Sequence, residues 1–505
     1  MNGTMAWFRR LCSFWKKTFL YRFFVQILLW CKKEFKESCI RNYVLSDKGM
    51  HRLYPVSWTY CILSFIIKRI TAVFGFFCKG VRHLSVKEGT GQALWQTVRY
   101  EYVYAAFFAG MLCLPHSAWN NAYAVVAAFI LAAFYILKSR GDRMPVNPYA
   151  FPFSLLIFML SVFVGMWLSP SFSDGCRTAL FFISGVLFML EAWGGIQDEK
   201  RLKTVVSILL TGFFGMCMMG LFQGLCGVET DRMLTDVGMN QGMPGRVYAT
   251  MGNPNNFAEI IILLVPFLYA MIISTEKKRY KCLFAVMLAV SVAALAISYS
   301  RAGYIALIIG TVVFAVLYDI RLLLPIMLVA AASIPFLPES IMNRIFTIGS
   351  LQDTSNAYRI FLWDGAVEMM RDHLFSGVGL GPEAFSAVYP AYAHIHALNA
   401  PHSHMLYMEL GIELGLWGAT AFFVFMGSVF RRCLAIMRKA SKTLRCMMIA
   451  GISSFCGIAF SACVEYIWFY PRVLFVFWMV AGLTLCAVRL AKKNKSVLPE
   501  SGERS

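Results

Sequence analysis

Apolar residues arrive in this chain in repeated runs of about 15 to 25, and no other feature limits its fold so tightly. At 1.5 Å per residue, a helix of that length crosses or nearly crosses a hydrocarbon core of about 30 Å. Composition agrees: the 505 residues are 59% hydrophobic and 15% charged, where a water-soluble domain carries roughly 25% charged residues, and the mean hydropathy is +0.62. The expected fold is an all-α integral membrane protein of about twelve transmembrane helices, with a long external loop carrying an amphipathic helix. Hydropathy places the spans at 101–114, 119–137, 152–168, 178–194, 203–226, 257–274, 281–298, 302–318, 321–337, 403–428, 446–464 and 471–490.

Orientation follows from the basic residues, because cytoplasmic loops carry an excess of Lys and Arg. They fall after every second span, at Lys138 to Arg143, Lys200 to Lys203, Lys277 to Lys281, Arg321, Arg431 to Arg445 and Arg489 onward. Together with the amino-terminal segment these positions hold 39 of the 47 basic residues, so both termini are expected in the cytoplasm. The other eight are all arginine: Arg177, Arg232, Arg246, Arg301, Arg344, Arg359, Arg371 and Arg472. An external arginine is ordinarily paired with a carboxylate. Its planar fork also suits a phosphate or pyrophosphate better than an ammonium does.

Residues 1–100 form a separate unit, with 17 Lys or Arg against 4 Asp or Glu. Trp7, Phe8, Phe14, Trp15 and Phe19 alternate with Arg9, Arg10, Lys16, Lys17 and Arg22, the composition of an interfacial helix on anionic inner-leaflet lipid. The net charge of +20 is therefore a local tail, and no nucleic-acid partner is expected. Residues 101–490 are the polytopic membrane domain and 491–505 a cytoplasmic tail. The cysteines fall mostly inside apolar runs, where a thiol behaves as a small hydrophobe. With no CxxC pair and no Cys/His cluster at metal spacing, no metal site is expected.

The external loops 227–256 and 338–401 hold most of the informative polar residues. The second is too long for a bare connection. Within 356–373, Ile360, Phe361, Ala366, Val367 and Met370 recur at helical spacing, and Gly377 to Pro382 then reads as a turn, lacking the strand and helix of a phosphate loop. Four segments converge on the external boundary: Gly245 to Ala258 (GRVYATMGNPNNFA), Ser298 to Gly303 (SYSRAG), the loop from Arg359 through His373 to Gly381, and Pro401 to Tyr407 (PHSHMLY) with Glu409, Glu413, Gly415 and Gly418 beyond it.

In this order, over about residues 240–420, the four segments resemble the signatures of the O-antigen ligase and O-antigen polymerase superfamily of bacterial membrane glycosyltransferases. The ligase motif of that family is a His followed by Asn, Ser or Gln, then nine residues, Gly, two residues and Gly. His404 satisfies the spacing to Gly415 and Gly418, and Met405 departs from the pattern at the polar position. The resemblance implies transfer of a glycan from an undecaprenyl-pyrophosphate carrier to a glycan or lipid-glycan acceptor, at the outer face of the bacterial cell membrane and without a cofactor. Arg246 and Arg301 would hold the pyrophosphate and His404 would act as general base. Arg359 and His402 are secondary candidates, and Asn253 and Asn255 are expected to shape the turn. A multi-pass transporter and an inactive lipid-glycan-binding scaffold are the alternatives.

Overall fold

The computed structural model describes residues 98–141, 152–227, 245–346 and 354–497. The basic segment up to residue 97, most of the first long loop and the tail beyond 497 lie outside the described residues. Those described form helices α1 (Tyr100–Cys113), α2 (Asn121–Gly141), α3 (Phe153–Leu168), α4 (Phe172–Gly195), α5 (Glu199–Cys226), α6 (Pro254–Ser274), α7 (Lys278–Ile297), α8 (Arg301–Tyr318), α9 (Leu323–Ser333), α10 (Glu339–Phe346), α11 (Thr354–Asp372), α12 (Pro382–Val388), α13 (Leu406–Ile436), α14 (Lys442–Ser461) and α15 (Pro471–Val497).

A helix occupies each of the twelve expected positions. Eight of them, α4 to α8 and α13 to α15, are long and apolar enough to cross a membrane. The run expected to span at 321–337 is helical over Ile320–Phe336, with the eleven-residue α9 at its centre, and the chain bends by 117° only after it, into α10. Counted as one span, that bent pair brings the number to nine. None of the residues of α9 is buried, and Phe336 just after it is 86% exposed.

Helices α6, α14 and α15 form the centre, because they are apolar on every side and can be covered on every side. Helices α7 and α8 bury only a stripe each and present the rest outward. Without a hydrophobic force between helices in lipid, close approach comes from small residues. At the α8–α14 crossing a Cβ on Gly457 would lie 2.7 Å from the Ala306 carbonyl oxygen.

Polar contacts sort to the two ends of the bundle. At the end holding the basic clusters, Lys203 donates to the Ser274 carbonyl, Arg445 to the Tyr318 carbonyl, and Arg489 to the Trp193 carbonyl. The opposite end gathers the starts of α6, α8 and α13 and the 374–404 loop.

Helix α11 forms where the spacing predicts, with a shifted face. Leu362, Ala366 and Met369 are buried together with Phe385, Tyr389 and Ile412, whereas Ile360 is 46% exposed. Residues 374–381 dock into a break in α13. Gly415 has φ +66°, which interrupts the helix; the Leu416 N–H is thereby turned to the Leu374 carbonyl (2.7 Å), and the Val378 N–H reaches the Ile412 carbonyl (2.7 Å). The turn is followed by the seven-residue α12, which like α10 is not expected from the sequence, with the Gly381 N–H at its start donating to Glu413 Oε1 (3.0 Å).

A Cβ at Gly415 would stand 2.5 Å from the Phe375 carbonyl oxygen, in a backbone region that L side chains rarely adopt. Gly415→Ala is expected to destabilise the protein by about 1–3 kcal/mol. Gly427→Ala, in the same helix with nothing within 4 Å of the new methyl, is expected to be neutral or stabilising. Thermal unfolding of both variants in detergent checks the contrast, and equal midpoints would show that the break is not imposed by Gly415.

Candidate functional site

The segment leading into α6 is held from several directions. Gln223, near the end of α5, accepts the N–H groups of Tyr248 and Ala249 (3.2 and 2.7 Å) and donates to the Ala249 carbonyl (2.9 Å). Thr250 donates to the Leu112 carbonyl (2.6 Å), and Arg472 donates to the carbonyls of Thr250 and Leu114 (3.0 Å each). Asn253 then caps α6 by accepting the Asn255 N–H (2.8 Å), with Pro254 at the first helical position. Asn253 thus starts the helix. Asn255 does more.

Arg246 enters the site from this segment. Its Nε–H donates to the Ser298 carbonyl (3.0 Å) and its Nη2–H to Asn255 Oδ1 (2.7 Å). Ser298 opens the tight turn between α7 and α8, where Tyr299 takes φ +53°. The Tyr299 carbonyl accepts Arg344 Nε–H (3.1 Å), so one turn anchors two buried guanidinium groups. Ser300 caps α8 and donates to Asn255 Oδ1 (3.2 Å), and Arg301, the first residue of α8, reaches Asn356 Oδ1 on α11 (3.4 Å). Burial lowers the Arg246 guanidinium from its ordinary 12.5 to about 9, with Arg344 and Arg301 adding to the effect against the pull of Glu465; it stays charged at neutral pH.

The start of α13 supplies the histidines. His402 is buried (7% exposed), packed between Phe469 and Tyr466, whereas the His404 side chain is 28% exposed. His404 has φ +53° and donates its backbone N–H to His402 Nδ1 (3.1 Å). Burial above all, with His404 beside it, lowers the His402 imidazole to about 3, so it remains neutral and acts as an acceptor for its neighbour's backbone. Met405 sits at the helix cap with no side-chain bond and packs on the α11 cluster. Glu409, in the first turn of the helix, reaches back to accept the Ser403 N–H (2.7 Å) and ties the preceding segment to it.

Glu465, in the loop between α14 and α15, joins these parts. Its Oε1 accepts from Arg359 Nη2 and from Asn255 Nδ2 (2.8 Å), and its Oε2 lies 3.5 Å from His404 Nδ1. Burial pushes this carboxyl up, but Arg359 and then His404 outweigh it and hold it at about 2. Arg359, expected as a secondary anion binder, is thus engaged by a carboxylate. Arg246, Asn255, Glu465, His404 and Arg359 form one connected network. Glu465 and Arg344 are the residues that sequence reading did not single out. Among the described residues no group of three or more His, Cys, Asp or Glu is arranged to hold a metal ion.

A depressed folded-state value means stability that is full above the ordinary carboxyl value of 4.5 and is lost as pH falls toward about 2. The thermal midpoint of the wild type is therefore expected to fall more steeply than that of Glu465→Gln across this window, measured in detergent. Parallel curves would show that the Arg359 and His404 contacts do not hold the charge.

Residues 283–423 match the family model described as O-Antigen ligase. The matched stretch runs from α7 to the middle of α13 and contains Arg301, Arg359, His402 and His404, while Arg246, Asn255 and Glu465 lie outside it. No curated protein matches the chain. The family match supports the O-antigen ligase and polymerase superfamily, and with it a membrane glycan-processing enzyme.

Proposed function

From that superfamily we propose a glycosyltransferase that moves a glycan from an undecaprenyl-pyrophosphate carrier to a hydroxyl of a glycan or lipid-glycan acceptor at the outer face of the bacterial cell membrane. In this reading the membrane domain has about twelve spans, the shorter α1 to α3 and the α9 segment among them, and both termini are cytoplasmic. The observation that carries this reading is the convergence of Arg246, Arg301 and His404 at one end of the bundle, opposite the basic clusters.

Each group has a task in that reaction. The acceptor oxygen attacks the anomeric carbon, the bond from that carbon to the carrier phosphate breaks, and the pyrophosphate leaves with the electron pair. Negative charge grows on the leaving group, where cations fixed before the reaction stabilise it without reorganising. Arg246 supplies a buried field and Arg301 a half-exposed fork. His404 takes the acceptor's proton as a neutral base. His402 suits that task less well, because it is covered by aromatic rings and its Nδ1 is already occupied by the His404 N–H.

Transfer from a lipid-linked donor by purified protein tests this. His404→Ala is expected to lose about 10²- to 10⁴-fold in rate, and His402→Ala far less. Arg246→Ala and Arg301→Ala are expected to abolish transfer in protein that still unfolds cooperatively, and the Arg→Lys variants to remain poor, since a point charge does not reproduce a bidentate fork. Near-normal activity of both lysine variants would reduce the arginines to scaffold cations. An inactive His402→Ala beside an active His404→Ala would overturn the assignment of the base.

Orientation is tested separately, in a cysteine-free background. A cysteine at Ile395, which is 73% exposed, is expected to react with an impermeant maleimide from outside the cell. A cysteine at Lys439, beyond α13, is expected to react only after the membrane is opened. The reverse pattern would move the whole site to the cytoplasmic face.

A further inference from the structure

We propose that Glu465 is the positioning residue for His404, holding the imidazole as the Nδ1–H tautomer so that the Nε2 lone pair faces the acceptor hydroxyl. The inference rests on the transfer reading above and assigns a role to a residue outside both the four sequence segments and the matched stretch.

Three observations carry it. A neutral imidazole has one N–H and one bare nitrogen, and which is which follows from the partner each finds. The Glu465 carboxylate, an acceptor only, stands 3.5 Å from Nδ1, a separation that leaves room to tighten when substrate is bound. The carboxylate is itself held: Arg359 and Asn255 fix Oε1, which aims Oε2 at the ring. The backbone is fixed by the same loop, since the Leu406 N–H reaches the carbonyls of Ala462 and Glu465 (3.0 and 3.2 Å) just after His404 turns through φ +53°.

The proton balance is simple. The acceptor's proton moves to Nε2, the proton on Nδ1 stays, and the imidazolium so formed is stabilised by the Glu465 charge. The carboxylate is not protonated in the cycle. Arg359 is then a support for Glu465, one step removed from substrate.

The test uses full-length protein in lipid. Glu465→Gln is expected to lower kcat by about 10- to 100-fold, part of what a general base contributes, with the donor KM changed by less than about twofold. Glu465→Asp is expected to recover part of the loss. In a His404→Ala background, Glu465→Gln is expected to lower the residual rate no further. Nitrogen NMR of histidine-labelled protein, with His404 assigned by its loss in His404→Ala, is expected to show the Nδ1–H tautomer in the wild type and a mixture in Glu465→Ala.

A wild-type kcat in Glu465→Gln, a further loss in the His404→Ala background, or an Nε2–H tautomer in the wild type would each overturn the proposal. Should Glu465→Gln fail to fold, the aspartate variant and the wild-type tautomer still decide. If the wild type transfers no glycan, the reaction falls while the tautomer measurement still judges the Glu465 contact.

Discussion

One carboxylate surrounded by cations is the interaction on which the site end of this protein depends. Arg246, Arg301, Arg344 and Arg359 are brought together by four separate segments, and burying like charges side by side opposes folding unless something offsets it. Glu465 does so from the loop between α14 and α15, meeting Arg359 directly and Arg246 through the Asn255 amide. Backbone carbonyls complete the compensation, Ser298 for Arg246 and Tyr299 for Arg344. Glu465 and the turn carbonyls thus help to hold these guanidinium groups in place.

The geometry is transmitted to the histidines through α13. Its break at Gly415 lets the helix take backbone hydrogen bonds from the 374–378 segment, while Glu409 and Glu413 tie Ser403, Gly381 and the Tyr466 hydroxyl to the same helix. These two buried acids of α13, which would be costly in lipid, are each bonded to a group at the site end. His404 therefore stands on a scaffold joined to α11, α12 and the Glu465 loop, although Met405 contributes no cap of its own.

Much of this was legible in the sequence, for physical reasons that differ from residue to residue. Apolar runs fall where helices form because lipid-exposed backbone tolerates little else. Arg246, Arg301 and His404 were recognisable because each sits in a segment whose other residues are needed for its pose: Asn253 and Pro254 start α6, Ser300 caps α8, and Gly415 breaks α13. The 117° bend that follows Phe336 was missed because hydropathy does not see the direction of the chain. Glu465 was missed because no periodicity or motif surrounds it. Its signal was isolation, since it is the one charged residue between Arg445 and Arg472. The left-handed backbone of His404 was illegible, being imposed by neighbours far away in the chain.

The position of Glu465 also sets the order in which the protein becomes competent during its own synthesis. Chains are made from the amino end and fold as they emerge, so the arginines and His404 reach the membrane before the loop that joins them. A nascent chain halted before α14 holds the arginines and His404 without the Glu465 carboxylate, and the contacts that Glu465 makes close only with the loop between the last two helices. Translation itself thus withholds the assembled network until the bundle is nearly complete, because its last member lies in the loop before the final helix.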